Sequence, residues 1–284
     1  MKRFTSKLIF SLLTGSVIVL SSCNVINPEE EIPAYIEVDS IGVFTYLQTQ
    51  GSATSNIVDA WVTIDGAFLC GYNLGTKVPV LYNGMHTVTI RAGILLNGIE
   101  GTRVPYAVFT SFDTLIDLKP GAIHKFIPRV TYLSSTVFPL DEDFNSSSLL
   151  FSTPVSSAAI TVETGGIDGD NGLVVMDAIN TSFECTTTDS FDLPGGLKPT
   201  YIEIDYKCNT DFSVGVKANT TLGPLDFPVL GIRSTDTWKK IYVNLTSITS
   251  QATQARDWKI YIKSSLAPGA TTDTLRFDNI KLVY

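Results

Sequence analysis

Apolar and polar residues alternate with a period of two over much of this chain. Near residue 60, Val62 and Ile64 are separated by Thr63, and helical periodicity is nearly absent along the whole sequence. This alternation predicts β-strands with one buried face. An Asp-Gly pair at 65–66 and an Asn-Gly pair at 83–84 supply residues that favour tight hairpin turns. The pattern therefore predicts an all-β fold.

The second half of the chain repeats the pattern more clearly. Alternating runs occur at 201–207 (YIEIDYK), 241–245 (IYVNL) and 258–263 (WKIYIK). Near the C-terminus, Leu275 and Phe277 share one parity, whereas Ile280, Leu282 and Tyr284 share the other. Such a one-residue change of phase is what an inserted residue in a strand produces. We therefore predict a β-bulge at residues 278–279.

Length and composition indicate two domains. The chain has 284 residues, of which 44% are hydrophobic and 17% charged, enough apolar material for two cores of ordinary size. Residues 134–143 (SSTVFPLDED) interrupt the alternation with acidic residues and a proline. We predict two consecutive antiparallel β-sandwich domains, 34–133 and 138–284.

The N-terminus has the three parts of an export signal. Lys2, Arg3 and Lys7 precede an apolar run at residues 8–20, and the sequence Leu-Ser-Ser-Cys ends at Cys23. The last four residues resemble the lipobox of bacterial lipoprotein precursors. That resemblance implies a signal peptide at residues 1–22, lipid on Cys23 and a tether at 23–33. The apolar run is too short for a membrane span, so lipid is the expected anchor.

The residues that follow Cys23 indicate the membrane to which the protein is delivered. Asn24 occupies the place where inner-membrane lipoproteins typically carry Asp, so the resemblance implies delivery to the outer membrane. The acidic run at 29–31 is similar to tracts that export some lipoproteins to the cell surface, and it also suits a solvated linker. The expected location is the outer membrane, on its periplasmic or extracellular face.

Charge excludes one class of partner. The formal net charge is −8, and removal of a leader with three basic and no acidic residues brings it to −11. Such a surface repels phosphate backbones, so we expect no nucleic-acid partner. The membrane, reached through lipid, and either an envelope protein complex or a glycan are the expected partners.

Two further resemblances concern the domains. The runs 237–245 (TWKKIYVNL), 257–262 (DWKIYI) and 277–280 (FDNI) resemble the closing strands of jelly-roll carbohydrate-binding-like modules, across residues 138–284. The runs 64–69 (IDGAFL) and 79–90 (PVLYNGMHTVTI) resemble small PEGA-like modules. These resemblances imply an Ig-like sandwich followed by a jelly roll.

The jelly-roll resemblance suggests a metal site. Related modules often hold a structural Ca²⁺ between the first strand and a carboxylate of the last. Here Asp141, Glu142 and Asp143 open the domain, and Asp278 lies at the expected bulge. Carboxylate oxygens from both ends of the domain would suit Ca²⁺. The alternative is a solvated linker and an ordinary bulge residue, and no other cofactor is expected.

Aromatic residues suggest a glycan-binding face. Tyr242 and Tyr261 have outward parity on their predicted strands, and Trp238 stands at a strand entry. Exposed rings can stack on the apolar face of a sugar. Alternatively, these rings cover hydrophobic surface or contact the first domain.

Two cysteines have inward parity in the second domain. An exported compartment permits a disulfide between Cys185 and Cys208. On the chain-entropy estimate such a bridge would contribute roughly 3 kcal/mol. The alternative is two buried thiols that pack as small hydrophobic groups.

The chain shows no recognisable catalytic centre. Its two histidines, His86 and His124, each lie where a loop enters a strand, with no nucleophile motif nearby. We therefore predict a non-enzymatic binding or assembly component of the envelope. The alternatives are a glycan-binding surface lipoprotein of a polysaccharide-uptake system and a small glycan-active hydrolase whose acid pair cannot be chosen from the sequence.

Overall fold

The computed structural model describes residues 30–153 and 157–284, and it confirms the all-β prediction. The signal peptide, Cys23 and most of the proposed tether lie outside the described residues. Within the described ranges, no helix has the length and apolar character needed to cross a membrane.

The N-terminal sandwich, residues 34–131, consists of ten strands and one short helix. In chain order they are β1 (Ala34–Val38), β2 (Gly42–Phe44), α1 (Leu47–Gln50), β3 (Asp59–Ile64), β4 (Ala67–Asn73), β5 (Lys77–Val80), β6 (Gly84–Leu95), β7 (Arg103–Pro105), β8 (Phe112–Leu118), β9 (Ile123–Phe126) and β10 (Arg129–Thr131). One sheet has the order β4-β3-β6, with β7 and β8 both pairing with β6; the other strands form β5-β1-β9 and β10-β2.

The described residues of the C-terminal sandwich, 140–153 and 157–283, form eleven strands and one short helix. They are β11 (Leu140–Glu142), β12 (Phe151–Ser152), β13 (Ile160–Thr164), β14 (Asp170–Asp177), β15 (Ser182–Thr187), β16 (Tyr201–Cys208), β17 (Phe212–Thr220), β18 (Gly223–Ile232), β19 (Thr235–Asn244), α2 (Thr246–Gln251), β20 (Ala255–Ser265) and β21 (Thr272–Val283). One sheet has the order β13-β14-β21-β16-β19, with β11 on β21; the other is β12-β15-β20-β17-β18.

The predicted turns and strand pairings agree with the structure only in part. Asp65 and Gly66 both have positive φ and close the β3–β4 hairpin, as predicted. The Asn-Gly pair at 83–84 does not close a hairpin, because β5 pairs with β1 and β6 pairs with β3. Two pairings in the N-terminal sandwich, β1 with β9 and β2 with β10, are parallel, whereas every pairing in the C-terminal sandwich is antiparallel.

The predicted bulge is confirmed. Glu203 pairs with Lys281 and Asp205 pairs with Asp278, so two steps on β16 correspond to three on β21. Asn279 absorbs the extra residue with a φ of 47°. Asparagine tolerates this left-handed conformation better than most residues.

Each sandwich has its own core, and the first core continues onto the second sandwich. The C-terminal core includes the inward residues Ile202, Ile204 and Cys208. The N-terminal core also takes in Tyr201, Tyr242 and Val283. These three residues lie on the outer face of the β13-β14-β21-β16-β19 sheet, against which the N-terminal sandwich packs. We call this contact the seam.

Candidate functional site

The seam buries a set of charged side chains. Glu203, Asp205, Lys240 and Lys281 have the outward parity expected of solvent-exposed residues, yet each is at most 5% exposed. The Lys240 Nζ lies 3.2 Å from Glu203 Oε2 and 3.5 Å from Asp205 Oδ2. Two acids and two lysines therefore balance in charge beneath the N-terminal sandwich, as buried charges require.

Residues of the N-terminal sandwich complete this network. The hydroxyls of Tyr106 and Tyr132 donate to Glu203 Oε1 at 2.7 and 2.8 Å. Lys240 Nζ donates to Thr54 Oγ1 at 3.0 Å. Burial alone would raise the pKa of Glu203, but the lysines and tyrosine hydroxyls outweigh it and hold that pKa below its ordinary value. Glu203 is therefore an ionised structural group whose Oε1 accepts two hydrogen bonds and whose Oε2 forms an ion pair with Lys240.

One loop of the N-terminal sandwich is clamped by the same sheet. Lys281 Nζ donates to the backbone carbonyls of Gln50 and Ser52 at 2.6 and 2.5 Å. Gly51, between them, has a φ of 66°, and a Cβ there would lie 2.2 Å from Asp141 Oδ2. Only glycine fits this approach without displacement of Asp141. The loop after α1 is thus held rigidly against β11 and β21.

This clamped loop forms one wall of a pocket of about 560 Å³, which we call the seam pocket. The N-terminal sandwich contributes Thr45, Leu47, Ser52 and Thr54 among its lining residues. The C-terminal sandwich contributes the opposite wall, Asp143, Asn145, Asp168 and Asn279. Ser52 Oγ donates a hydrogen bond across the pocket to Asp168 Oδ2.

The bulge in β21 places Asn279 in this pocket. Asn279 is 1% exposed, and its Nδ2 has no hydrogen-bond partner among the described residues. The neighbouring Asp278 accepts hydrogen bonds from the backbone N–H groups of Ile167 and Asn279, each at 2.8 Å. Burial raises the pKa of Asp278 to about 6. A bulge that redirects a side chain in this way is typical of functional sites.

Exposed aromatic residues lie next in the chain to residues that line the pocket. Phe44 and Tyr46 are 52% and 64% exposed and pack edge to face with ring centroids 5.3 Å apart. Their chain neighbours Thr45 and Leu47 line the pocket. The backbone of Tyr46 is held by Gln50, whose N–H and Oε1 both bond to it. The Tyr46 ring is therefore exposed on a fixed backbone, next in the chain to residues of a polar cleft.

Sequence reasoning missed these aromatic residues. Tyr46 and Leu47 follow a short strand, and no local signal separates an exposed ring from a buried one. Their partners in the pocket lie about a hundred or more positions away in the sequence.

The predicted glycan-binding rings are placed differently. Tyr242 is 1% exposed and lies in the seam, where its hydroxyl accepts a hydrogen bond from the Asn56 backbone N–H. Tyr261 is 3% exposed, since Lys263 and Lys217 cover its ring at 4.4 and 5.6 Å. Neither tyrosine can stack on a sugar, so that prediction is wrong for both. Trp238 is half-buried.

The predicted calcium ligands do not converge. Glu142 is buried and accepts hydrogen bonds from the backbone N–H groups of Phe144 and Leu150, one on each oxygen. Asp278 is likewise bonded to backbone, and Asp141 faces Gly51. Within 30–153 and 157–284, no group of three His, Cys, Asp or Glu residues is placed to hold a metal ion. The four-residue site is therefore wrong as a set, although Asp143 lines the seam pocket.

The predicted disulfide is also wrong in this structure, where Cys185 and Cys208 are free, buried thiols. Cys185 lies on β15 of one sheet and Cys208 on β16 of the other. Facing sheets pack about 10 Å apart, beyond the Cα separation of about 4.4–6.8 Å that a disulfide needs. Burial raises the pKa of the Cys185 thiol to about 12.

His86 forms a pair with an acid that resembles part of a catalytic centre. Its Nδ1 lies 2.6 Å from Asp65 Oδ2, and this contact raises the pKa of His86. Its Nε2 lies 3.1 Å from the Asn83 carbonyl oxygen. Both ring nitrogens are therefore engaged, and neither can take a proton from a nucleophile in this arrangement.

Comparisons with known proteins give weak structural similarities. The sequence matches no protein-family model and no curated protein. Among solved structures, the family 30 carbohydrate-binding module of a Clostridium thermocellum cellulosomal cellulase matches at 14% identity and a TM-score of 0.38, over 50% of this chain and 96% of the module. A family 11 module from the same organism, in complex with a β-1,3-1,4-mixed-linked tetrasaccharide, matches at 15% identity and 0.36, over 50% and 93%.

A third structure covers more of the chain. It concerns the structural basis for the promiscuous specificity of carbohydrate-binding modules from the β-sandwich superfamily. It matches at 11% identity and a TM-score of 0.38, over 80% of this chain and 85% of its own. At these TM-scores, the ligand class has to be inferred from the side chains of this chain alone.

Proposed function

We propose that this protein is a non-enzymatic glycan-binding lipoprotein that holds sugar in the seam pocket. One observation carries the proposal: a cleft lined by carboxylate, amide and hydroxyl groups contains the buried, unpartnered amide donor of Asn279, and exposed aromatic residues adjoin its lining residues in the chain. The pocket volume, about 560 Å³, lies within the range of small-molecule sites.

The two kinds of group match the two kinds of surface on a sugar. A pyranose ring presents C–H groups that pack against an aromatic face, and Tyr46 offers such a face at 64% exposure. Sugar hydroxyls both donate and accept hydrogen bonds. Asp143 and Asp168 can accept from them, and Asn145 can do both.

Asn279 adds a more specific reason for a ligand. A buried donor without a partner costs about 1–3 kcal/mol, and the Asn279 Nδ2 is such a donor. A sugar hydroxyl oxygen in the pocket would accept from it and remove this cost. A metal cation would not, because the amide nitrogen is a donor.

The location proposed for this activity is the outer membrane. Lipid on Cys23 would tether the sandwiches through residues 24–33, and the acidic surface would keep them off anionic lipid. Capture of glycans by a membrane-tethered protein fits a polysaccharide-uptake system better than catalysis by an untethered enzyme does. An envelope assembly role with a protein partner remains an outcome of the test below.

The test is a glycan array with the full chain, followed by calorimetric titration of the strongest ligand. Replacement of Tyr46 by alanine is expected to weaken binding about 2- to 13-fold, since a ring contact contributes about 0.5–1.5 kcal/mol beyond its buried area. Asp143→Asn, which keeps the side-chain shape, should also weaken binding.

The matched control is Phe68→Ala, which removes an aromatic ring of 60% exposure on β4, away from the pocket. It should leave affinity unchanged. Binding to no glycan on the array, or equal affinities for the Tyr46→Ala and Phe68→Ala variants, would refute the proposal. Release of reducing ends from a bound polysaccharide would instead favour the hydrolase alternative.

A further inference from the structure

A second pocket, of about 540 Å³, is lined by residues of three strands of the β13-β14-β21-β16-β19 sheet. Lys207 of β16, Lys239 of β19 and Arg276 of β21 line it, together with Asn209 and one acid, Asp236. We call it the basic pocket. Three cations around one cavity are unusual in a chain with 28 acidic and only 20 basic residues.

The cations in the basic pocket are only partly compensated. Arg276 Nε lies 2.8 Å from Glu163 Oε2. The side chains of Lys207 and Lys239, by contrast, make no ion pair or hydrogen bond with any residue in 30–153 or 157–284. Counting Glu163 and Asp236, the pocket keeps a net positive charge, so an anion there would be attracted.

Strand register makes the arrangement unfavourable without a ligand. Lys207 and Arg276 are direct partners in the antiparallel pairing of β16 with β21. Like charges directly opposite on one face of a sheet repel and destabilise the pair. An oxyanion placed between them would turn this repulsion into two charge-assisted hydrogen bonds. Asn209 offers a further donor, since its Oδ1 already accepts from the Thr274 N–H.

The basic pocket and the seam pocket both take lining residues from β21. Arg276 lines the first and Asn279 the second, and they are three residues apart on β21, or about 10 Å along the strand. The segment 163–167 contacts β21 near both pockets: Arg276 donates to Glu163, and the Ile167 N–H donates to Asp278. A ligand of several sugar units can reach from one pocket to the other.

We propose that the glycan bound by this protein is acidic, with a carboxylate or sulfate group held in the basic pocket. This inference rests on the proposed glycan-binding function and narrows its ligand class. Uronate and sulfate ester groups share the required chemistry, a fixed oxyanion on a sugar, and the experiment separates them.

The experiment titrates the full chain with three oligosaccharides of equal length: a neutral glucan, an oligogalacturonate and a sulfated glycan. We expect at least one acidic oligosaccharide to bind about tenfold more tightly than the neutral one, with the difference reduced at high salt. The Lys207→Gln/Lys239→Gln variant should abolish this preference and leave affinity for the neutral glucan unchanged. Both lysines lack partners, so the fold should survive their replacement.

The control variant, Arg129→Gln/Arg256→Gln, removes two exposed positive charges elsewhere. It should retain the preference, which excludes a general effect of net charge. Equal affinity of the lysine variant and the wild type for acidic oligosaccharides would overturn the inference. Binding of the neutral glucan with no acidic preference would overturn it while leaving the glycan-binding proposal intact. Binding of none of the three, together with an empty array, would overturn both.

Discussion

Replacement of Lys240 by methionine tests whether the buried charges hold the two sandwiches together. Methionine keeps most of the side-chain volume and removes the charge. The Lys240 Nζ lies 3.2 Å from Glu203 Oε2 and 3.5 Å from Asp205 Oδ2. At an effective dielectric constant near 20, each contact corresponds to about 5 kcal/mol of attraction. Removal of the lysine charge from water costs several kcal/mol and offsets part of this sum.

The net effect follows from what the substitution leaves behind. Glu203 and Asp205 remain buried with only Lys281 to balance them, and loss of one partner of a buried pair typically costs about 3–5 kcal/mol. Domains are stable by about 5–15 kcal/mol, so Lys240→Met should remove a large share of the unfolding free energy. Urea unfolding followed by tryptophan fluorescence and circular dichroism measures it.

Two variants make the result interpretable. Lys119→Met removes a lysine whose side chain is 69% exposed and paired with Asp117 at 3.0 Å; it should cost at most about 1 kcal/mol. Adding Glu203→Gln to Lys240→Met restores the charge balance, so the double variant should be less destabilised than the sum of the two single variants. Additive effects, or a Lys240→Met cost no larger than that of Lys119→Met, would refute the structural role.

Two further predictions concern pH and anchoring. The folded pKa of Asp278, about 6, exceeds its ordinary value of 3.8, so protonation favours the folded state, and this contribution is full below pH 3.8 and lost as pH rises through 6. The stability difference between wild type and Asp278→Asn should therefore change between pH 4 and 6 and stay level above 7; a difference that is constant from pH 4 to 8 would contradict the assigned pKa. Cys23→Ala should abolish palmitate incorporation and membrane partitioning in the expressing cells; labelling equal to wild type would remove the proposed anchor.

The sequence predicted the strands well because each strand shows its own alternation. Ile202 and Ile204 face the core as expected, and the change of phase after Phe277 correctly placed the bulge. These features depend on neighbours within a few residues. A bulge that supplies Asn279 to the seam pocket was thus visible in the sequence, although its role was not.

The sequence could not show which outward faces are covered. Glu203 and Tyr242 alternate with apolar residues in the manner of exposed positions, and both are buried because the N-terminal sandwich packs over them. Tyr261 is covered by the side chains of Lys217 on β17 and Lys263 on β20, which belong to the same sheet. Parity assigns a side chain to a face, but exposure depends on contacts between residues far apart in the chain.

The charged network and the seam pocket are connected through one loop. Apolar packing of Tyr201, Tyr242 and Val283 is non-directional and could hold the sandwiches in several orientations. The hydrogen bonds of Lys240 to Thr54 and of Lys281 to the loop carbonyls have defined directions and select one of them. Both bonds end on the loop that forms one wall of the seam pocket. Since the opposite wall belongs to the C-terminal sandwich, the width of the pocket is set by these bonds, and a ligand there meets walls that are already in place.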